Sequence, residues 1–251
     1  MQQLLEYAKE AASCAASLLK QDFISNAGVL SDSAKDLKTL ADQAAQEAIY
    51  RKLSTSGIPI LGEEDVEKYG GTDQRWIVDP LDGTVNFFRG FPIAGVSIGL
   101  WEGDNPILGV IKNIYTGDLF EGVVDAGAFL NGKTIAVSGV SKANQAILAT
   151  GFPSGRNYDT ESLLPFVKQV QQFKKVRMLG SAALMLAEVC AGHFDVYKED
   201  DIYIWDVAAG LAIIKAAGGD YIMNSGSGDF KYEITAGNSQ LINELKNGKS
   251  I

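Results

Sequence analysis

The stretch Asp79-Pro80-Leu81-Asp82-Gly83-Thr84, DPLDGT, decides how this chain is read. It sets two carboxylates three residues apart, with a proline behind the first and Gly-Thr behind the second. Such a cluster suits phosphoryl chemistry in two ways. The first aspartate could attack phosphorus, or both could hold metal ions that activate a water. A nucleophile with its acid/base partner wants a two-residue spacing, because alternate strand residues must reach opposite sides of one oxygen. The spacing here is longer and Pro80 intervenes, which weakens the nucleophile reading.

The metal reading needs further hard oxygen ligands converging from elsewhere in the chain. Glu63 and Glu64 in GEED and Asp206 in WDVAAG are the candidates. Each stands beside small residues and near the end of an apolar run. Taken singly, each reads equally well as a solvated loop charge or a helix cap. For Asp206 the simplest such role is an N-cap ahead of a helix over Val207 to Ala217.

The chain has 251 residues, enough for a large buried core. It is read as a single unit, 1–251, with an N-terminal half to about residue 145 and a C-terminal half from about 146. The net charge of -9 argues against nucleic-acid binding through a broad basic face. An acidic protein acting on anionic phosphates would need a local positive device, and bound divalent cations supply one. Cys14 and Cys190 lack metal-ligand spacing and read as buried free thiols of a reducing cytoplasm. The opening MQQLLEYAKEAAS is neither a signal peptide nor a membrane span, so no membrane partner is expected and the cytoplasm is the default location. The single histidine, His193, disfavours multi-histidine zinc sites and Ser-His-Asp triads, and it reads as a helix-end or surface residue.

Apolar periodicity predicts helices over Leu4 to Lys20, Thr39 to Leu53, Ser162 to Gln172, Ala182 to Ala191 and Val207 to Ala217. Strands are predicted at Ile58 to Leu61, Trp76 to Val78, Ala94 to Trp101, Ile107 to Asn113, Leu119 to Val124 and Ala128 to Val137, the last with a turn inside. Further strands are predicted at Val176 to Leu179, Phe194 to Tyr197, Asp220 to Met223 and Glu233 to Ala236. These elements make a mixed α/β protein of layered sheets and helices. GAFLNGKT, Gly127 to Thr134, fits the P-loop pattern, but a strand-like run follows Lys133-Thr134 where a P-loop needs a helix. Asn131-Gly132 between two apolar runs predicts a hairpin instead.

GEED, WIVDPLDGTVNFFRGFP and WDVAAGLAIIKAAGG together resemble the signature of the inositol monophosphatase family. KDLKTLAD (Lys35 to Asp42), GAFLNGKTIAVS and MLGSAALMLAEVCAGHFDVYKEDD are similar to other segments of that family, in its order, from about Asp36 to Gly237. The resemblance implies a layered αβαβα sandwich of the inositol monophosphatase and fructose-bisphosphatase type, usually as a homodimer. It implies two Mg²⁺ ions and a third, weaker one. Glu63, Asp79 and the Leu81 carbonyl would hold one ion; Asp79, Asp82 and Asp206 would hold the second, with the third near Glu63. Thr84 and Glu63 would orient the attacking water, with Asp42 supporting Thr84. The Gly83 and Thr84 amides would face the phosphate. Glu199 matches a ligand of the substrate's hydroxyls, and Gly180, Ser181 and Ala182 would line the alcohol side. The implied reaction is hydrolysis of a small phosphate monoester, most simply myo-inositol monophosphate. 3′-Phosphoadenosine 5′-phosphate, histidinol phosphate and fructose bisphosphate are the other substrates of such enzymes, and a noncatalytic phosphosugar-binding protein is the alternative of another class. A bisphosphate would want extra basic residues in the pocket, for which Lys198 and Arg156 are candidates.

Overall fold

The computed structural model describes residues 1–20, 29–33, 36–63, 71–152 and 157–247, with 29–33 and 36–41 as backbone only. Lys35, Glu64 and Arg156, singled out above, lie outside the described residues. The helices are α1 (Gln2–Leu18), α2 (Leu40–Leu53), α3 (Thr84–Phe88), α4 (Thr160–Val170), α5 (Ala182–Cys190), α6 (Ile204–Ala216) and α7 (Ser239–Asn247). The strands are β1 (Val29–Ser33), β2 (Asp36–Thr39), β3 (Ile60–Gly62), β4 (Gln74–Asp82), β5 (Gly95–Glu102), β6 (Asn105–Asn113), β7 (Leu119–Val123), β8 (Gly127–Leu130), β9 (Lys133–Ile135), β10 (Ile147–Ala149), β11 (Lys175–Arg177), β12 (Val196–Tyr203), β13 (Gly219–Ser225) and β14 (Lys231–Asn238).

Strands β3 to β9 form a seven-stranded sheet in chain order, antiparallel except for the β3–β4 pair. A five-stranded sheet has the order β11-β10-β12-β14-β13, and β1 pairs with β2 in a separate ribbon. The alanine face of α1 (Ala8, Ala11, Ala12, Ala15) and α2 cover one side of the larger sheet through Trp76, Val78, Ile98 and Leu100. Helices α5 and α6 fill the space between the two sheets. On the far side of the smaller sheet, Leu241, Ile242 and Leu245 of α7 pack with Leu148 and Val196. The layers are therefore αβαβα.

The middle layer follows from composition. Helix α6 is apolar on every side and almost wholly buried, as a helix between two sheets must be. Its close seating depends on glycines where β5, β6 and β7 pass beneath it. A Cβ at Gly109 would lie 2.1 Å from the Ala209 carbonyl oxygen, and one at Gly122 2.9 Å from the Ala216 methyl. Strand β4 is buried without a break from Trp76 to Asp82, which marks it as an interior strand covered on both faces.

The predicted helices and strands are all present, with ends shifted by a few residues. Asn131 (φ 51) and Gly132 (φ 76) both adopt the left-handed backbone between β8 and β9, so GAFLNGKT is a hairpin. The short strand β10 and the final helix α7 were not anticipated. Strand β10 is only three residues long, and the apolar stripe of α7 is short and broken by polar residues. Cys190 is buried as expected, but Cys14 is exposed on the outer face of α1, a correction to the buried-thiol reading. Its neighbours Ala12 and Ala15 turn inward, and the helical period carries Cys14 away from them.

Candidate active site

The spacing of DPLDGT is resolved by a β-bulge. Asp79 pairs with Ser97 while Asp82 pairs with Gly95, so three steps on β4 face two on β5. The extra residue brings both aspartates to one face, as a two-residue spacing would in a regular strand. Pro80 sits inside this bulge, where its missing N–H disturbs no ladder bond. Gly83 then turns the chain with φ 86, and α3 begins at Thr84. A Cβ on Gly83 would meet the Ile93 carbonyl oxygen at 2.9 Å, so glycine is required by both conformation and space. The Thr84 hydroxyl donates to the Leu81 carbonyl at 3.0 Å, closing the turn.

Asp206 arrives from the opposite sheet's side of the core. It is not the N-cap; that position is Tyr203, and Asp206 lies within the first turn of α6. Carboxylate oxygens of Asp79, Asp82 and Asp206 lie within 4.8 Å of one another. Burial, and then the charges of Glu63, Asp82 and Asp206, push the Asp79 carboxyl well above the usual carboxylate range. Asp206 is pushed the same way by burial, Asp82 and Glu63. Burial also lifts Asp82, to about 6, against the hydrogen bonds that Ser181 and the amides of Ala183 and Ala182 donate to it. Ionising these carboxylates together is costly without a cation among them. Hard, buried, converging oxygen donors are what a magnesium-like ion takes, so the residues present fit a metal.

Ser181 and Ala182 do more than line a wall. The Ser181 hydroxyl donates to Asp82, and the amides of Ala182 (3.2 Å) and Ala183 (2.9 Å) donate to the same carboxylate. Asp82 therefore sits at the N-terminus of α5, held by the end of a helix. Asp79 accepts from the Leu81 amide at 2.9 Å. Glu63 follows β3 and acts electrostatically on both Asp79 and Asp206. Asp42 is buried in the first turn of α2.

Beside the carboxylates lies a cavity of about 340 Å³. Its lining includes Gly180, Ser181 and Ala182, Val85 and Phe152, and Glu199, Ile202 and Tyr203 of β12. The cavity brings together Asp82, Asp206, Glu199 and the 180–182 segment. Lys198 stands apart from it. Neighbouring strand residues point to opposite faces, so Lys198 is turned away from the pocket that Glu199 lines. Burial holds the Lys198 ammonium below its ordinary pKa, against the charges of Asp200 and Glu233.

Three contributors were not anticipated. The fully buried Tyr197 hydroxyl donates to Glu199 Oε2 at 2.8 Å and holds the carboxylate in place. Gly151 leaves the room that Glu199 occupies, since a Cβ there would lie 2.8 Å from Oε2. Asn86 Nδ2 donates to the Leu179 (2.7 Å) and Ile93 (2.9 Å) carbonyls and ties α3 to the chain entering α5. Only Tyr197 had a sequence signal: it precedes Glu199 by two residues in a strand and so shares its face. His193 is exposed, with Nδ1 2.5 Å from Glu188 Oε2, the surface role predicted for it.

The five-layered fold with a carboxylate cluster at the meeting of β4, α5 and α6 defines the class: a layered α/β scaffold whose clustered carboxylates could hold a cation. Sequence comparison agrees. The inositol monophosphatase family model matches residues 1–247, and the chain belongs to that family. It is thus a phosphoric monoester hydrolase. It is 35% identical over 247 residues to a fructose-1,6-bisphosphatase/inositol-1-monophosphatase of Aquifex aeolicus, covering 96% of this chain and 93% of that protein. It is 37% identical over 247 residues to inositol monophosphatase 3 of Solanum lycopersicum, covering 94% and 90%. Among solved structures, the Anabaena inositol monophosphatase superposes with a TM-score of 0.84 at 30% identity, covering 98% of this chain and 94% of that one. Among the described residues no helix is long and apolar enough to cross a membrane.

Proposed function

We propose that the protein hydrolyses a small phosphate monoester of a polyol, most simply myo-inositol monophosphate, in a Mg²⁺-dependent reaction. The observation that carries this reading is the cluster of buried Asp79 and Asp82 with half-buried Asp206, beside a cavity that Asp82, Asp206 and Glu199 line. Two or three magnesium ions, held by Glu63, Asp79, the Leu81 carbonyl, Asp82 and Asp206, would neutralise the phosphate and acidify a water. The protein's own groups do the rest. Glu63 and the Thr84 hydroxyl would orient that water, with Asp42 supporting Thr84 from behind. The Gly83 and Thr84 amides, at the first turn of α3, face the phosphate oxygens. Glu199, held by Tyr197, accepts a hydrogen bond from a hydroxyl neighbouring the ester and so fixes the alcohol.

Among the described residues lining the cavity, Asp82, Glu199, Asp201 and Asp206 are acidic and none is basic. A second phosphate on the alcohol would meet the Glu199 carboxylate there, which favours a monophosphate over a bisphosphate. Val85, Phe88, Phe91 and Met178 are exposed around the Asn86–Leu179 contact, and this supports a homodimer that covers them. The deciding experiment is phosphate release from a panel of inositol, sugar, histidinol and nucleoside phosphates with Mg²⁺. Preference for a bisphosphate, or full turnover in EDTA, would defeat the reading.

A further inference from the structure

The wall that presents Glu199 carries a second bulge. Glu199 pairs with Ile234 and Ile202 with Tyr232, so β12 holds one residue more than β14 between them. Asp201, in that extra step, adopts a left-handed backbone with φ 63. Glycine is the usual residue there, and aspartate tolerates it better than most because its short side chain can hydrogen-bond nearby. Asp201 bonds far along the chain instead. Its Oδ1 accepts from the Ser227 amide at 2.7 Å, and its Oδ2 accepts from the Ser227 hydroxyl at 2.8 Å and from Lys231 Nζ at 3.1 Å. All three donors belong to the turn between β13 and β14 or to the start of β14.

The same turn grips the chain again three residues on. The Ile204 amide donates to the Phe230 carbonyl at 2.9 Å, and Phe230 itself is left-handed at φ 59. Lys231 Nζ lies 5.0 Å from the centre of the Tyr203 ring, which stacks on Trp205 at 4.6 Å and 11°. The hairpin end thus holds Asp201 and Ile204 between Glu199, on the alcohol wall, and Asp206, in the carboxylate cluster. The Asp201 carboxylate is occupied by three donors and so has little to offer a substrate directly.

We propose that Asp201 is a positioning residue that selects the substrate's alcohol: by tying the β12 bulge to the β13–β14 hairpin, it sets the wall of Glu199, Ile202 and Tyr203. This rests on the reading of the cavity as the alcohol site. The test compares Asp201→Gly, Asp201→Asn and Ser227→Ala with wild type. Glycine keeps the left-handed backbone and loses the tie, whereas asparagine keeps the backbone and an acceptor for the Ser227 amide. Amide hydrogen exchange over residues 199–206 is measured with KM and kcat for myo-inositol 1-phosphate and p-nitrophenyl phosphate. Asp201→Gly should exchange faster in that segment and raise KM for inositol phosphate by about three- to tenfold, the worth of roughly one hydrogen bond. kcat should change less, and so should KM for p-nitrophenyl phosphate. Asp201→Asn and Ser227→Ala should fall between Asp201→Gly and wild type. Unchanged exchange in Asp201→Gly overturns the tie. Equal losses on both esters overturn the positioning role in favour of a general loss of structure. Failure of wild type on inositol phosphate would instead refute the proposed substrate, and the exchange rates would still decide the tie.

Discussion

Replacing Glu199 separates recognition of the alcohol from hydrolysis, and the structure says which replacement to use. The Glu199 carboxylate is buried and accepts from the fully buried Tyr197 hydroxyl at 2.8 Å. Alanine would remove both the proposed substrate contact and Tyr197's acceptor. A buried hydroxyl stripped of its partner costs about 1–3 kcal/mol of stability, which at about 2–4 °C per kcal/mol for a chain of this size lowers Tm by roughly 2–12 °C. Glutamine keeps an acceptor for Tyr197 and close to the same volume beside Gly151, so Glu199→Gln should melt near wild type. Both variants lose the charge-assisted bond to the substrate hydroxyl, worth about 1.5–3 kcal/mol. The expected loss in kcat/KM for myo-inositol 1-phosphate is therefore roughly ten- to a hundredfold. p-Nitrophenyl phosphate, which has no neighbouring hydroxyl, should be affected much less. Steady-state kinetics on both esters, with calorimetry on each variant, makes the comparison. If Glu199→Gln loses activity equally on both esters, Glu199 acts on the cation site or the fold, and the reasoning fails; no loss on inositol phosphate would point to another alcohol.

Asp206→Asn should fold yet lose most turnover, because an amide is a poor ligand for magnesium; near-normal kcat at saturating Mg²⁺ would reduce Asp206 to a first-turn helix residue. EDTA should abolish activity and Mg²⁺ restore it, as phosphate release would show. The raised carboxyls of Asp79, Asp82 and Asp206 bind protons more tightly folded than unfolded. The metal-free protein should therefore lose stability as pH rises from the unfolded carboxylate range near ~4 through about 6 and above. Mg²⁺ should raise Tm more at pH ~8 than at pH ~5, since it offsets charge that exists only when protons have left; an equal rise at both would argue that these carboxyls do not hold the ion. Gly109→Ala would drive a methyl against the Ala209 carbonyl and push α6 off the sheet. A loss of about 1–3 kcal/mol by chemical denaturation is expected, and a neutral result would mean α6 can shift freely.

The sequence by itself determined the chemistry to look for and the layers that carry it. The alanine face of α1, the apolar run of α6 from Val207 to Ile214 and the apolar β segments each announce their environment through local sequence pattern. A lone histidine, an acidic net charge and the residues of DPLDGT and WDVAAG narrowed the chemistry to carboxylates and cations before any geometry was known. Tertiary structure decided how those residues meet. A D-x-x-D spacing points its two side chains to opposite faces of a regular strand, and only the bulge at Pro80 brings Asp79 and Asp82 to one side. Taken alone Asp206 read as a helix cap, and through the resemblance as a cation ligand; α6 starts at Ile204, three residues before Val207, and lies across β5, β6 and β7 on glycines, which brings the carboxylate to Asp79 and Asp82 of β4. Lys198 and Glu199 are neighbours in sequence with opposite fates, because a strand turns neighbouring side chains to opposite faces and of these two only Glu199 lines the cavity. Asp201 belongs to the acidic segment DDIYI, whose sequence does not say what its carboxylate touches. Its three donors lie 26 to 30 residues further along, and chain closure of that length is fixed by the pairing of β12 with β14, which no local pattern encodes.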